Sequence, residues 1–108
     1  MPHLGHNPTL PDIQKYVDEL EQERGFANQD AIQKCLMLGE EVGELFKAIR
    51  KQENMSVDTK SQSFSVQEEM ADIIIMLCSI ANRFDVNLED AFRNKEEINK
   101  KRKWTTIK

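Results

Sequence analysis

An all-α bundle of four helices is expected from three features of this 108-residue chain. Apolar residues recur at helical spacing in four separate stretches. No alternating strand pattern of useful length occurs, and only four glycines and three prolines interrupt the chain. With 39% apolar residues, the length suits one domain over 1–108 rather than two. A domain of this size buries roughly two-thirds of its unfolded surface, enough for a core without disulfides or metal staples.

The first helix is expected over Thr9 to Arg24, with Leu10, Ile13, Tyr16, Val17 and Leu20 as its apolar stripe. Thr9 followed by Asp12 forms a capping box, and Gly25 supplies the stop. The segment before it, 1–8, reads as a flexible terminus. The second helix is expected over Gln29 to Gln52, capped by Asn28, with its stripe at Ala31, Cys35, Leu38, Val42, Leu45 and Ile49. Residues 53–62 turn polar and read as a mobile loop. The third helix begins near Ser65, with Glu68 completing another box, and ends around Phe84. The fourth is capped by Asn87 and runs to about Lys103.

The third helix is apolar on more than one side. Val66, Met70, Ile73, Leu77, Ile80 and Phe84 already form one stripe, and Ile74, Ile75 and Cys78 extend it around the helix. Such a helix needs cover on several faces, and a four-helix chain supplies little. Burial of this helix in a homodimer interface is therefore expected, two-fold dimers being the commonest oligomers.

Charge excludes some functions and suggests another. The net charge is −4, against a general nucleic-acid binder, yet Arg93 to Lys108 holds seven Lys or Arg against two Glu. An acidic body with a basic tail suits a polyanion held by metal ions on one side and cations on the other. Cys35 and Cys78 lie in apolar stretches and are expected as buried, reduced thiols. The longest apolar run, Ile73 to Cys78, is too short to span a membrane, and Met1 to His6 lacks the regions of a signal peptide. The cytoplasm is the expected compartment.

Two carboxylate pairs stand out, Glu41 with Glu44 and Glu69 with Asp72, each at i, i+3 on a helix. Asp18 and Glu21 form a similar pair, as chance alone would produce. Angular position distinguishes the first two: Glu41 and Glu69 fall roughly 100° and 70° from the centres of their stripes, with Glu44 and Asp72 further round in the same sense. Glu40 and Glu68 point nearly opposite the stripes and read as solvated. If the two helices pack antiparallel, both pairs face one cleft. Four carboxylates there repel one another unless protonated or bound to cations. An oxygen-only ligand set favours Mg²⁺, or Mn²⁺, and the absence of a Glu-x-x-His motif argues against a di-iron centre. Mg²⁺ completes its shell with water and substrate phosphates, which points to phosphate chemistry. On the fourth helix, Lys95, Asn99 and Arg102 share one face and suit phosphate and hydroxyl oxygens; a solvated basic helix end is the plainer account.

Taken in order, Glu41-Val-Gly-Glu44-Leu, Glu69-x-x-Asp72 within an apolar helix, Asn94-Lys95 and Asn99 to Trp104 resemble the MazG family of all-α nucleoside triphosphate pyrophosphohydrolases. The short form is most similar to the integron-associated subtype, a proposed house-cleaning enzyme of the nucleotide pool. The resemblance implies a four-helix fold forming a dimer or dimer of dimers, with sites built partly across the interface. It implies cleavage between the α- and β-phosphates, giving a nucleoside monophosphate and pyrophosphate, and suggests deoxynucleotides as preferred substrates. Glu41, Glu44, Glu69 and Asp72 would be Mg²⁺ ligands, with Glu41 or Glu44 activating water. Lys95, Asn99 and Arg102 would contact phosphates and sugar. Phe26, Gln29, Gln33 and Tyr16 are candidates for a base pocket, Phe26 being as readily a core residue as a stacking platform. Trp104 either closes that pocket or packs on a partner subunit. His3 and His6 fit an unstructured terminus better than a metal site. The rival activities are those of phosphoribosyl-ATP pyrophosphohydrolase, a dimeric dUTPase, or a non-catalytic nucleotide-binding dimer.

Overall fold

The computed structural model describes residues 1–55 and 65–103. Four helices follow one another: α1 (Leu10–Arg24), α2 (Ala31–Gln52), α3 (Val66–Arg83) and α4 (Leu88–Lys100). Among the described residues no strand occurs, and no helix is long and apolar enough to cross a membrane. Residues 56–62 of the expected loop and Trp104 lie outside the described residues.

Local chemistry sets the helix ends. Thr9 Oγ1 accepts from the Asp12 amide while Asp12 accepts from the Thr9 amide, and Gly25 closes α1 at φ 79°. α2 starts two residues later than expected, with Asp30 and not Asn28 as its cap. Both types cap well, but only Asp30 has a side chain three residues on that can reciprocate. The Gln33 amide donates to Asp30 Oδ1, and Gln33 Oε1 accepts from the Asp30 amide, both at 2.8 Å. The residue three beyond Asn28 is Ala31. Ser65 and Asn87 cap α3 and α4 as expected. α4 stops at Lys100, short of Lys103. From Lys100 to Lys103 only like-charged side chains follow, so no apolar contact extends the helix.

α3 lies at the centre of the bundle, packed on α2 along its length and on α1 behind; α4 packs chiefly on α1. Buried apolar residues come from three helices: Val17 and Leu20, Ala48, and Cys78 with Ala81. α2 and α3 run antiparallel, because Lys34 lies beside the α3 C-terminal region and Glu41 beside its N-terminal half.

Helix rotation differs from expectation. On α3 the inward face carries Glu69 and Ser79, while Met70, Leu77 and Phe84 of the expected stripe are exposed. An all-round apolar helix does not fix its own rotation by periodicity; the bonds of Arg83 to α1 and to the α1–α2 connection do. On α2 the inward line runs Lys34, Leu38, Glu41, Leu45, Ala48, and Cys35 is exposed, contrary to its expected burial. Cys78 is buried as expected.

An amide clip joins α1 to the α3–α4 turn. The Gln14 side-chain amide donates to the Val86 carbonyl at 2.8 Å and to Asn82 Oδ1 at 3.3 Å, and its oxygen accepts from the Leu88 amide. Asn82 returns a bond to the Gln14 carbonyl. Asp85 adopts φ 53° to make the turn, a conformation open to Asp.

Candidate metal centre

Antiparallel packing brings Glu41 of α2 against Glu69 and Asp72 of α3, with one oxygen of each within 4.8 Å of the others. Glu69 is 1% exposed, and neither of its oxygens has a hydrogen-bond partner. An ionised carboxylate so placed needs a proton or a cation. Its surroundings push the Glu41 carboxyl up to about 7, first by desolvation, then through the close approach of the Glu69 carboxyl and the negative charges of Asp72, Glu69 and Glu44. The donor set is all oxygen, hard and compact, and fits a divalent cation. Its burial comes from the inward lines of both helices, so Glu69 and Glu41 sit deeper than their angular positions suggested.

The other expected site residues divide. Glu44 adds its charge to Glu41 but lies outside the three-carboxylate group, its Oε1 3.6 Å from Lys47 Nζ. Lys95 and Asn99 line a groove of about 510 Å³ between α1, α3 and α4, with Ile74, Leu77 and Phe92 as apolar wall. Within it Asn99 donates to Glu96, while Asn99 Oδ1 is buried without a partner. Arg102 lies past the end of α4 and off the helical face it was expected to share. Among the described residues, the charges that shift Glu41 come from Asp72, Glu69 and Glu44. Gln33 is engaged in the α2 capping box. Phe26 is partly exposed, with Lys34 Nζ 5.3 Å over its ring. Tyr16 lies instead beside a hollow at the N-terminal segment, together with His3, His6 and Asp12.

One charged group was not anticipated. Glu21, set aside as half of a chance pair, is buried with Lys34 and Arg83. Arg83 holds its carboxyl below the usual range, through hydrogen bonds and charge that outweigh its desolvation. The signal was available: Lys34 and Glu41 share one line of α2 at i, i+7, and Arg83 lies four turns beyond Glu69 on α3.

The family model of the MazG nucleotide pyrophosphohydrolase domain matches residues 29–105, which include all four expected metal ligands. The chain belongs to the MazG family. Nucleotide pyrophosphohydrolases are hydrolases acting on nucleotides, so this MazG chain falls in that class. It is similar to the uncharacterized protein YvdC of Bacillus subtilis (strain 168), 32% identical over 95 residues, covering 82% of this chain and 90% of that one. Among solved structures it is similar to two forms of iMazG from Vibrio DAT 722. The C-terminally tagged form is 30% identical with a TM-score of 0.63, covering 86% of this chain and 99% of that chain. The N-terminally tagged form is 32% identical with a TM-score of 0.64, covering 86% and 95%. These matches extend the all-α MazG fold across most of the chain.

Proposed function

We propose that the chain is a Mg²⁺-dependent pyrophosphohydrolase that cleaves (d)NTP to (d)NMP and pyrophosphate, with deoxynucleotides preferred, in house-cleaning of the nucleotide pool. The observation that carries this reading is the buried, unpartnered Glu69 carboxylate facing Glu41 and Asp72 in a MazG chain. Glu41, Glu69 and Asp72, with Glu44 beside them, would hold the cation; Mn²⁺ is a workable substitute. When bound there, a divalent ion would offset phosphate charge and make a water more acidic. Glu44, outside the three-carboxylate group, is the better placed of the two candidates to accept that water's proton. Attack at the α-phosphorus then breaks the α–β anhydride and releases pyrophosphate. Lys95, Asn99 and Arg102 would neutralise and orient the phosphates and sugar.

The site is read as completed by a second copy. α4 buries no residue fully and packs chiefly on α1, while Ile32, Leu36 and Phe46 on α2 and Ile74 and Leu77 on α3 are exposed. Pairing through α2 and α3 would cover those faces and bring a neighbour's α4 cations near the carboxylates. The whole of 1–108 is then one catalytic domain.

The deciding experiment incubates the protein with each dNTP and NTP plus Mg²⁺ and separates the products. Monophosphate with pyrophosphate is expected, and Glu41→Gln should reduce turnover by at least about 100-fold, as loss of a group that organises catalysis does. Release of a diphosphate would overturn the assigned bond. Turnover confined to phosphoribosyl-ATP or dUTP would transfer the chain to a sibling activity.

A further inference from the structure

The Glu21–Lys34–Arg83 group has a use beyond stability. Arg83 spends its whole guanidinium on fixed partners. Nε donates to the Gln29 carbonyl at 2.6 Å and Nη2 to the Phe26 carbonyl at 3.1 Å. Nη1 and Nη2 grip the Glu21 carboxylate at 3.2 and 2.8 Å, and Nη1 also reaches Ser79 Oγ at 2.7 Å and the Ser79 carbonyl at 3.0 Å. Two of these bonds end on the backbone of the α1–α2 connection. Lys34, 2% exposed, adds its ammonium 3.4 Å from Glu21 Oε2 and 5.3 Å over the Phe26 ring. Both the carbonyl and the ring of Phe26 are thus held by cations anchored on one carboxylate.

Stability alone does not account for such a group, because apolar replacements of buried ion pairs are often neutral or stabilising. A planar fork satisfying several acceptors at once fixes geometry. The geometry it fixes lies on the seam that holds the carboxylate centre. Lys34 and Glu41 share the inward line of α2 seven residues apart, about 10 Å along the axis. That separation is on the scale of a nucleoside.

We propose that Arg83 is a positioning residue for nucleobase recognition, holding Phe26 and the 26–29 backbone as the stacking wall of the base subsite; this rests on the pyrophosphohydrolase reading above. Arg83 touches no substrate atom. It acts through Phe26.

The test is a double-mutant cycle of Arg83→Lys and Phe26→Ala, read in KM and kcat for dNTPs, with amide exchange of residues 25–30. Each single change should raise KM roughly tenfold while kcat and the Mg²⁺ requirement stay within about twofold, the pattern of lost binding without lost chemistry. The double variant should lose no more than the worse single one, because both act through one wall. Arg83→Lys should also speed exchange at 26–29. Should that variant fold poorly, Ser79→Ala removes one anchor without altering charge and should raise KM in the same direction. Multiplying effects in the double variant, a fall in kcat in place of a rise in KM, or unchanged exchange would each overturn the proposal. If the wild-type protein hydrolyses no nucleotide, the pyrophosphohydrolase reading fails, and the base-positioning role fails with it; loss of exchange protection in Arg83→Lys would then mark Arg83 as a loop clamp alone.

Discussion

At the scale of residues, the chain keeps two kinds of buried carboxylate, and the distinction is what surrounds them. Glu21 has two cations and is held ionised; Glu41 and Glu69 have each other. The Glu21 carboxyl is depressed in the folded protein relative to an ordinary 4.5, so the unfolded chain binds its proton more readily. Its contribution to stability is present above about pH 4.5 and is lost as pH falls through the lower folded value. Glu21→Gln should therefore destabilise the protein at pH 7 by about 3 kcal/mol, leaving two cations without their counter-charge. Urea unfolding at pH 7 and at successively lower pH should show that difference shrinking as the native Glu21 takes up its proton below the ordinary carboxylate range. The carboxylates that the fold brings together were legible in the sequence because i, i+3 spacing on two helices is a local property. Their depth was not, since the true inward line depends on how α2 and α3 rotate against each other. For Glu21 the sequence offered only the shared lines of Lys34 with Glu41 and of Arg83 with Glu69; that these cations meet Glu21 depends on packing, since they come from two other helices.

At the scale of elements, periodicity predicted the four helices and left their ends to cap chemistry. The Thr9 box and the Gly25 stop were readable because the cap and its reciprocating residue are three apart in the chain. At the start of α2 two competent caps compete, and Gln33 decides for Asp30. Asp30→Ala should lower stability by about 1 kcal/mol, while Asn28→Ala should be close to neutral; thermal melts of the two variants check this. α4 was predicted as a helix but not as one tied so lightly. Its attachment is the Gln14 clip and a seam on α1, neither of which leaves a signature in the local pattern.

At the scale of the whole molecule, the single chain is open. Its solvent-accessible surface is 8768 Å², against about 6200 Å² for a compact monomer of 12.6 kDa. The radius of gyration, 16.9 Å, likewise exceeds the value of about 13 Å expected for this length. Sedimentation equilibrium at micromolar concentration should return at least twice the 12.6 kDa chain mass. Leu77→Glu should return a smaller assembly with the same helix content, because Leu77 is 45% exposed and contributes little to the single-chain core. A wild-type monomer would remove the pairing. The surplus of apolar residues on the third helix made this expectation available from sequence; which face would be left outside required the packing.

The unpartnered, buried carboxylate of Glu69 leaves the chain locally frustrated when no cation sits beside it: a charged group occupies a place where a hydrophobe would fold better. Glu69→Met, similar in volume and free of charge, should raise the melting temperature in EDTA while abolishing any stabilisation by Mg²⁺. The wild type should show the opposite dependence, gaining its stability with the ion. On the metal-binding proposal, a screen that selected this chain for heat resistance alone would drift toward an inert bundle, and the carboxylate cluster would persist only where ligand and fold are selected together.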